Sequence, residues 1–209
     1  VKLKEVFGNS RIVGLAGEKD SGKTNNIIAL IKDFRQYKKD VRIYVYGLEE
    51  PILEWLKKNF REIYEVSSLE QLATKKNCLI VLDEISKLNL NNRRYTEQLN
   101  LFVDFVYHNN NWVILSSPSL REFNSIIGGK IERWAIKSIN VTNLVNGSQL
   151  KEIVLNYKGR YKSINSIDVP RNELIIINSD YEKFIELEYI KEVDTKVKNI
   201  NIFEIDGKR

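Results

Sequence analysis

The sequence predicts an α/β domain built on a mostly parallel sheet. Short apolar runs alternate with amphipathic stretches from residue 11 to about residue 140, the order of strand–helix–strand units. Two of the runs, Leu79-Ile80-Val81-Leu82 and Trp112-Val113-Ile114-Leu115, are apolar at every position. Strands buried on both faces of a parallel sheet read this way, whereas a half-exposed strand would alternate. A glycine-bearing loop, Gly17 to Thr24, lies between the first run and the first amphipathic stretch.

Residues 1–10 form a lead-in with no strong pattern, and Arg11 to Ala16 reads as the first strand. After the loop, Asn25 to Tyr37 reads as a helix. Its Ile27, Leu30, Ile31 and Phe34 fall at i, i+3, i+4 and i+7, one stripe that can cover a sheet. Val41 to Gly47 is β-branched and aromatic, a second strand. Pro51 opens a helix carrying Ile52, Leu53, Trp55, Leu56 and Phe60. Glu62 to Val66 reads as an extended connector, and Ser68 and Glu70 begin a short helix. Leu79 to Glu84 is a buried strand ending in two carboxylates, followed by a polar loop over 87–94. Leu99, Phe102, Val103 and Val106 mark the next helix, which Asn109-Asn110-Asn111 stops. Trp112 to Ser117 is a further strand closed by Pro118, and another helix then runs to Gly128-Gly129. Arg133 to Ile136 is a fifth strand. From residue 141 the pattern changes. Gln149 to Tyr157 is expected to be helical, Glu173–Asn178 and Lys183–Glu188 flank a Ser179-Asp180 turn as a hairpin, and Ile200 to Phe203 can form an edge strand.

With 209 residues, 43% apolar and 29% charged, the chain is globular and long enough for a full core. No repeat or low-complexity linker divides it. Residues 1–209 therefore read as one domain, with a core over about 11–140 and a C-terminal extension over about 141–209. The formal charge of +5 permits a polyanionic partner. The single cysteine, Cys78, excludes a disulfide framework within the chain, and with His108 the only histidine a Cys/His zinc cluster is excluded too. Cys78, inside an apolar run, reads as a core residue. No run approaches the roughly 18 apolar residues of a membrane span. The first residues lack the apolar centre of a signal peptide, so a cytoplasm-like compartment is expected.

Gly17-Glu18-Lys19-Asp20-Ser21-Gly22-Lys23-Thr24 fits G-x-x-x-x-G-K-[ST], the phosphate-binding loop or Walker A motif. Gly17 and Gly22 permit backbone angles that let the loop curl around a phosphate. The loop N–H groups and the helix N-terminus then face the anion. Lys23 can reach the β- and γ-phosphates, and the Thr24 hydroxyl can ligate Mg²⁺. The loop therefore predicts a nucleoside triphosphate with Mg²⁺ as ligand. Asp83 and Glu84 form the second constellation. Asp83, at the C-terminal end of a buried strand, is placed to hold Mg²⁺. Glu84 directly after it can polarise an attacking water, which favours a hydrolase over a kinase. No N-K-x-D sequence that would read guanine occurs in the chain.

Ser116-Ser117 ends the Trp112 strand, where a polar side chain can sense the γ-phosphate or orient the water. Ser117 is the candidate and Ser116 its alternative; both can instead cap the helix after Pro118. Charge stabilisation in phosphoryl transfer calls for an arginine, often from a neighbouring subunit. Arg93, Arg94 and Arg121 are the candidates, Arg94 foremost. Lys158-Gly159-Arg160-Tyr161-Lys162 interleaves basic and aromatic residues, either a solvated turn or a contact for a nucleic-acid backbone and a stacked base. His108 reads as a polar residue at a helix end.

Taken in order, the Gly17–Thr24 loop, the acidic strand Leu79–Glu84, the Trp112–Ser117 strand, Ile131–Ile136 and the C-terminal helix plus hairpin resemble the FtsK–HerA group of P-loop ATPases. Within it the chain is most similar to the small genome-packaging ATPases of icosahedral membrane-containing viruses, and more distantly to Zot-type domains. The resemblance covers roughly residues 11 to 190. It implies a three-layer P-loop NTPase sandwich with an additional strand between the P-loop and Walker B strands. It also implies a homo-oligomeric ring that pumps double-stranded DNA by hydrolysing ATP, with a capsid or membrane-vertex protein as partner. The Zot-type likeness implies the alternative, a nucleotide-gated assembly factor or switch that binds protein. Members of the group often carry a glutamine at the end of the sensor strand, where this chain has Ser116-Ser117-Pro118. The arginine often found before that strand is replaced by the region of His108-Asn109.

Overall fold

The computed structural model of the chain describes residues 2–85, 93–119, 123, 130–140, 161–163, 166, 167, 169, 171–178 and 181–193. In chain order these form α1 (Lys2–Phe7), β1 (Ile12–Ala16), α2 (Lys23–Tyr37), β2 (Ile43–Tyr46), α3 (Glu50–Asn59) and β3 (Ile63–Glu65). α4 (Leu69–Ala73), β4 (Leu79–Leu82), α5 (Arg93–Phe105), β5 (Trp112–Ser117) and β6 (Arg133–Ile136) follow. β7 (Ile139–Asn140), β8 (Tyr161–Ser163), β9 (Ser166–Ile167), β10 (Glu173–Asn178) and β11 (Tyr181–Glu186) complete the described elements.

The main sheet runs β11-β10-β6-β1-β5-β4-β2-β3. From β6 to β3 every pairing is parallel; β10 is antiparallel to both β6 and β11. The expected hairpin therefore extends the same sheet rather than standing apart from it. β5 lies between β1 and β4, so one strand separates the phosphate loop from the acidic strand. The chain reverses order around β1, and ligands of open α/β sheets bind at the carboxyl ends of strands at such a switch point. β7, β9 and β8 form a separate antiparallel sheet.

Strand alternation divides the core between the two faces of the sheet. Val13, Leu15, Leu79, Val81, Ile114 and Leu174 share one cluster with the apolar stripes of α1, α2 and α3. Ile12, Ile80, Leu82, Val113 and Leu115 share the other with α4 and α5. The result is a three-layer α/β sandwich. α2 follows its predicted stripe, with Ile27, Leu30, Ile31 and Phe34 fully buried. α3 begins as expected, with Pro51 in its first turn.

Three local differences from the sequence expectation have simple causes. The lead-in folds as α1, burying Leu3, Val6 and Phe7; one apolar pair of turns is too short to show a period. Glu62–Val66 contains β3, an edge strand parallel to β2. Only Ile63 of its three residues is buried, so no apolar run announces it. Arg93 and Arg94 stand in the first turn of α5, not in the preceding loop. The helices expected after Pro118 and over Gln149–Tyr157 and the strand over Ile200–Phe203 lie largely or wholly outside the described residues, as does Arg121. Among the described residues no helix is long and apolar enough to cross a membrane.

Candidate active site

The loop after β1 has the geometry of an anion cradle. Gly22 adopts φ 94° and Asp20 φ 62°, left-handed angles that turn the chain into α2. Gly17 has a different reason to be glycine. Its backbone is ordinary, but a Cβ there would lie 2.4 Å from Lys137 Cβ and 2.9 Å from Ser21 Oγ. Close packing against the end of β6, not a special angle, requires it. The Gly17 N–H donates to the Ser117 carbonyl (3.2 Å) and the Glu18 N–H to the Ser138 carbonyl (2.8 Å), anchoring the loop to both neighbouring strand ends.

Lys23 is only 7% exposed. Its Nζ donates to the carbonyls of Gly17 (2.6 Å) and Glu18 (2.8 Å), folded over its own loop. The first turn of α2 contains no acidic residue and no side chain caps it, so its N–H groups and dipole are open to an anion. The Ser21 hydroxyl is buried without a hydrogen-bond partner. A buried cation, an uncapped helix start and an orphaned hydroxyl in one loop fit a bound phosphate chain.

The acidic pair is held from the neighbouring strand. The N–H of Asp83 donates to the Tyr46 carbonyl at 2.8 Å, and the residue is 6% exposed. The Ser116 hydroxyl donates to Asp83 Oδ1 and accepts the N–H of Glu84 at 3.1 Å. One hydroxyl thus positions both acids. Glu84 is half-buried and left-handed, φ 49°, a conformation uncommon outside glycine and concentrated at functional sites. The Ser117 Oγ accepts the Ser119 N–H at 3.2 Å. Thr24 and Asp83 offer the hard oxygen donors that Mg²⁺ takes. Among the described residues no group of three or more His, Cys, Asp or Glu side chains could hold a metal. This donor set suits Mg²⁺, which is held by one or two protein oxygens together with substrate phosphates.

The opposite flank of the loop is built by the C-terminal extension. A cleft of about 330 Å³ lies between residues 18–21 of the loop and Ser138, Val169 and Arg171. The Arg171 carbonyl accepts from Asn26 Nδ2 at 3.1 Å and lies 2.9 Å from where a Cβ on Gly22 would stand. The amide of Asn25 donates to the Ile190 carbonyl (2.7 Å) and accepts the Ile190 N–H (3.1 Å). Ser138 Oγ exchanges two hydrogen bonds with the main chain of Val169. Lys137, fully buried, donates to the Glu173 carbonyl at 2.6 Å. Asn25, Asn26, Ser138, Val169, Arg171 and Ile190 belong to no motif, so local sequence patterns do not single them out. The available signal was the pair Asn25-Asn26, two amides at the inward-facing start of an apolar helix.

No family model matches the sequence, and no curated protein does. Solved structures do resemble the fold. The chain superposes on ATPases 2 and 3 of EssC from Geobacillus thermodenitrificans with a TM-score of 0.57 at 11% identity, covering 85% of this chain and 39% of that one. The cytoplasmic domain of the Type VII secretion ATPase EccC from Thermomonospora curvata gives 0.59 at 12% identity, covering 88% and 24%. The genome packaging NTPase B204 from Sulfolobus turreted icosahedral virus 2, in complex with AMPPCP, gives 0.56 at 12% identity, covering 86% and 98%. The fold is that of the P-loop ATPases these structures represent. The chain spans well under half the length of the EssC and EccC structures and nearly all of B204.

Within this P-loop ATPase fold the remaining sequence candidates fall away from the loop or outside the described side chains. Arg93 and Arg94 are placed by their backbone at the start of α5. Lys158, Gly159 and Arg160 lie outside the described residues, whereas Tyr161 and Lys162 open β8. His108 is exposed after α5, its ring 6.2 Å from that of Phe105. Cys78 is fully buried beside Asn111, and burial pushes its thiol up to about 12. It is a core residue, as its apolar surroundings predict.

Proposed function

We propose that the chain is an ATP-hydrolysing motor that translocates double-stranded DNA, packaging a viral genome into its capsid as part of a homo-oligomeric ring. The observation that carries hydrolysis is the Ser116 bridge: a hydroxyl from the strand beside β1 holds Asp83 and the Glu84 main chain on one flank of the loop. The loop residues Gly17 to Thr24 bind the phosphates. Lys23 exchanges the Gly17 and Glu18 carbonyls for phosphate oxygens, a charge-assisted contact. Thr24 and Asp83 would hold Mg²⁺, which when bound neutralises charge on the β- and γ-phosphates. Glu84 takes the proton of the attacking water, and Ser116 fixes its reach. An arginine, Arg94 in first place, reaches the neighbouring subunit's nucleotide to stabilise transferred charge.

DNA as the moving partner is supported by the likeness to B204 and by the formal charge of +5. The likeness to EssC and EccC, secretion ATPases by name, favours a second reading, a motor or nucleotide-gated assembly factor acting on a polypeptide. The assay that separates them is ATP turnover by the purified chain, with and without double-stranded DNA, across salt concentrations. The DNA-motor reading expects DNA-stimulated turnover and binding that weakens steeply with salt. ATP turnover indifferent to DNA, with no salt-sensitive binding, overturns it in favour of the polypeptide reading.

A further inference from the structure

The acidic pair occupies only one flank of the loop. Asp83 and Glu84 follow β4, two strands to one side of β1. Asp83 would hold the Mg²⁺ that neutralises the terminal phosphates of a bound triphosphate, which sets that end of the ligand on the acidic side. The rest of the nucleotide then leaves the loop toward β6. There the structure has a cleft, closed on its far side by the extension. Arg171 lines it with an exposed side chain. The Ser21 hydroxyl, 8% exposed and without a partner, lines it from the loop side.

We propose that this cleft is the nucleoside-side subsite and that Arg171 contacts the ribose or base of ATP bound in the same subunit. Arg171 is placed for this by main chain rather than by chance. Its carbonyl is bonded to Asn26 in the first turn of α2, and its backbone abuts Gly22. Two residues upstream, Val169 is bound at both its N–H and its carbonyl by Ser138. The guanidinium therefore starts from a fixed point beside the phosphate loop. Its planar, permanently charged head suits the face of a base or a ribose hydroxyl oxygen. The extension thus completes the nucleotide site in cis, unlike an arginine supplied from a neighbour.

The assignment rests on the reading of Gly17–Thr24 as a phosphate loop, and calorimetric titration of the full chain with ATP, ADP and inorganic tripolyphosphate tests the two separately. Arg171→Ala is expected to weaken ATP and ADP about tenfold, the worth of one cation–π or hydrogen-bonding contact, and to leave tripolyphosphate unchanged. Equal weakening of ATP and tripolyphosphate overturns the nucleoside-side placement. Unchanged ATP affinity overturns Arg171 as a contact while leaving the loop intact. A wild-type chain that binds none of the three overturns the loop reading and the assignment with it. Arg171 is exposed, so the substitution removes no core packing; a Tm unchanged from wild type checks this.

Discussion

On the β4 flank of the phosphate loop, a single serine hydroxyl holds two carboxylate residues; on the β6 flank, two asparagine amides hold main chain. Ser116 binds the Asp83 carboxylate and the Glu84 main-chain N–H. Asn25 and Asn26 bind carbonyls and an N–H of Ile190 and Arg171, groups that do not titrate. The first flank is suited to chemistry, the second to fastening a distant part of the chain. The loop between them, with Lys23 at its centre, serves both. Substitutions that separate turnover, binding and stability therefore sort the two flanks.

The largest effect is expected at the shared element. Lys23→Ala removes the buried ammonium and should cost ATP affinity about two orders of magnitude or more. Fluorescent-nucleotide binding measures it, and affinity near wild type would end the phosphate-loop assignment. Glu84→Gln acts on the β4 flank alone. ATP binding should persist while turnover falls roughly 10²–10⁴-fold, the usual worth of a general base. Normal turnover in a steady-state phosphate assay would reject Glu84 in that role.

Ser116→Ala comes next. It removes a hydroxyl that bonds the Asp83 carboxylate and the Glu84 main-chain N–H. Turnover should fall about 10–100-fold, as for other groups that orient a metal ligand. Stability should drop by ~1–3 kcal/mol because Asp83 and the Glu84 N–H lose that buried partner. Ser117→Ala, whose hydroxyl accepts the Ser119 N–H, should affect turnover less. If the order of the two variants were reversed, the β4 flank would have to be redrawn around Ser117.

The choice between those serines was open to sequence reasoning through strand alternation. Leu79 and Val81 face the α2 side, so Asp83 continues that face; Ile114 does too, so Ser116 does and Ser117 does not. The strands themselves were legible because their residues are apolar at every position, and the glycine loop because its chemistry is local. β3 was not, since only Ile63 of its three residues is buried. The hairpin was legible as a hairpin, but its docking beside β6 depends on contacts across some forty residues that no local pattern records. Arg171 was invisible for the same reason, meeting Asn26 from 145 residues away. Arg93 and Arg94, close to the acidic pair in sequence, begin α5, whereas Arg171 lines the cleft on the other flank.

The smallest effect on chemistry, and the clearest test of the β6 flank, is Asn25→Ala. Asn25 is 3% exposed and makes two hydrogen bonds to Ile190, one in each direction. Its loss leaves a carbonyl and an N–H of the extension without those partners, a cost of ~1–3 kcal/mol. The side chain does not face the acids, so Glu84-dependent turnover per bound ATP should change little. Thermal denaturation should show the lost stability. Limited proteolysis should show cleavage gained in the extension before the core, because the contact removed is the one that fastens residues near 190 to α2. If Asn25→Ala instead lowered turnover as far as Ser116→Ala does, the two flanks would not be separable, and the fastening on the β6 side would be part of the catalytic arrangement itself.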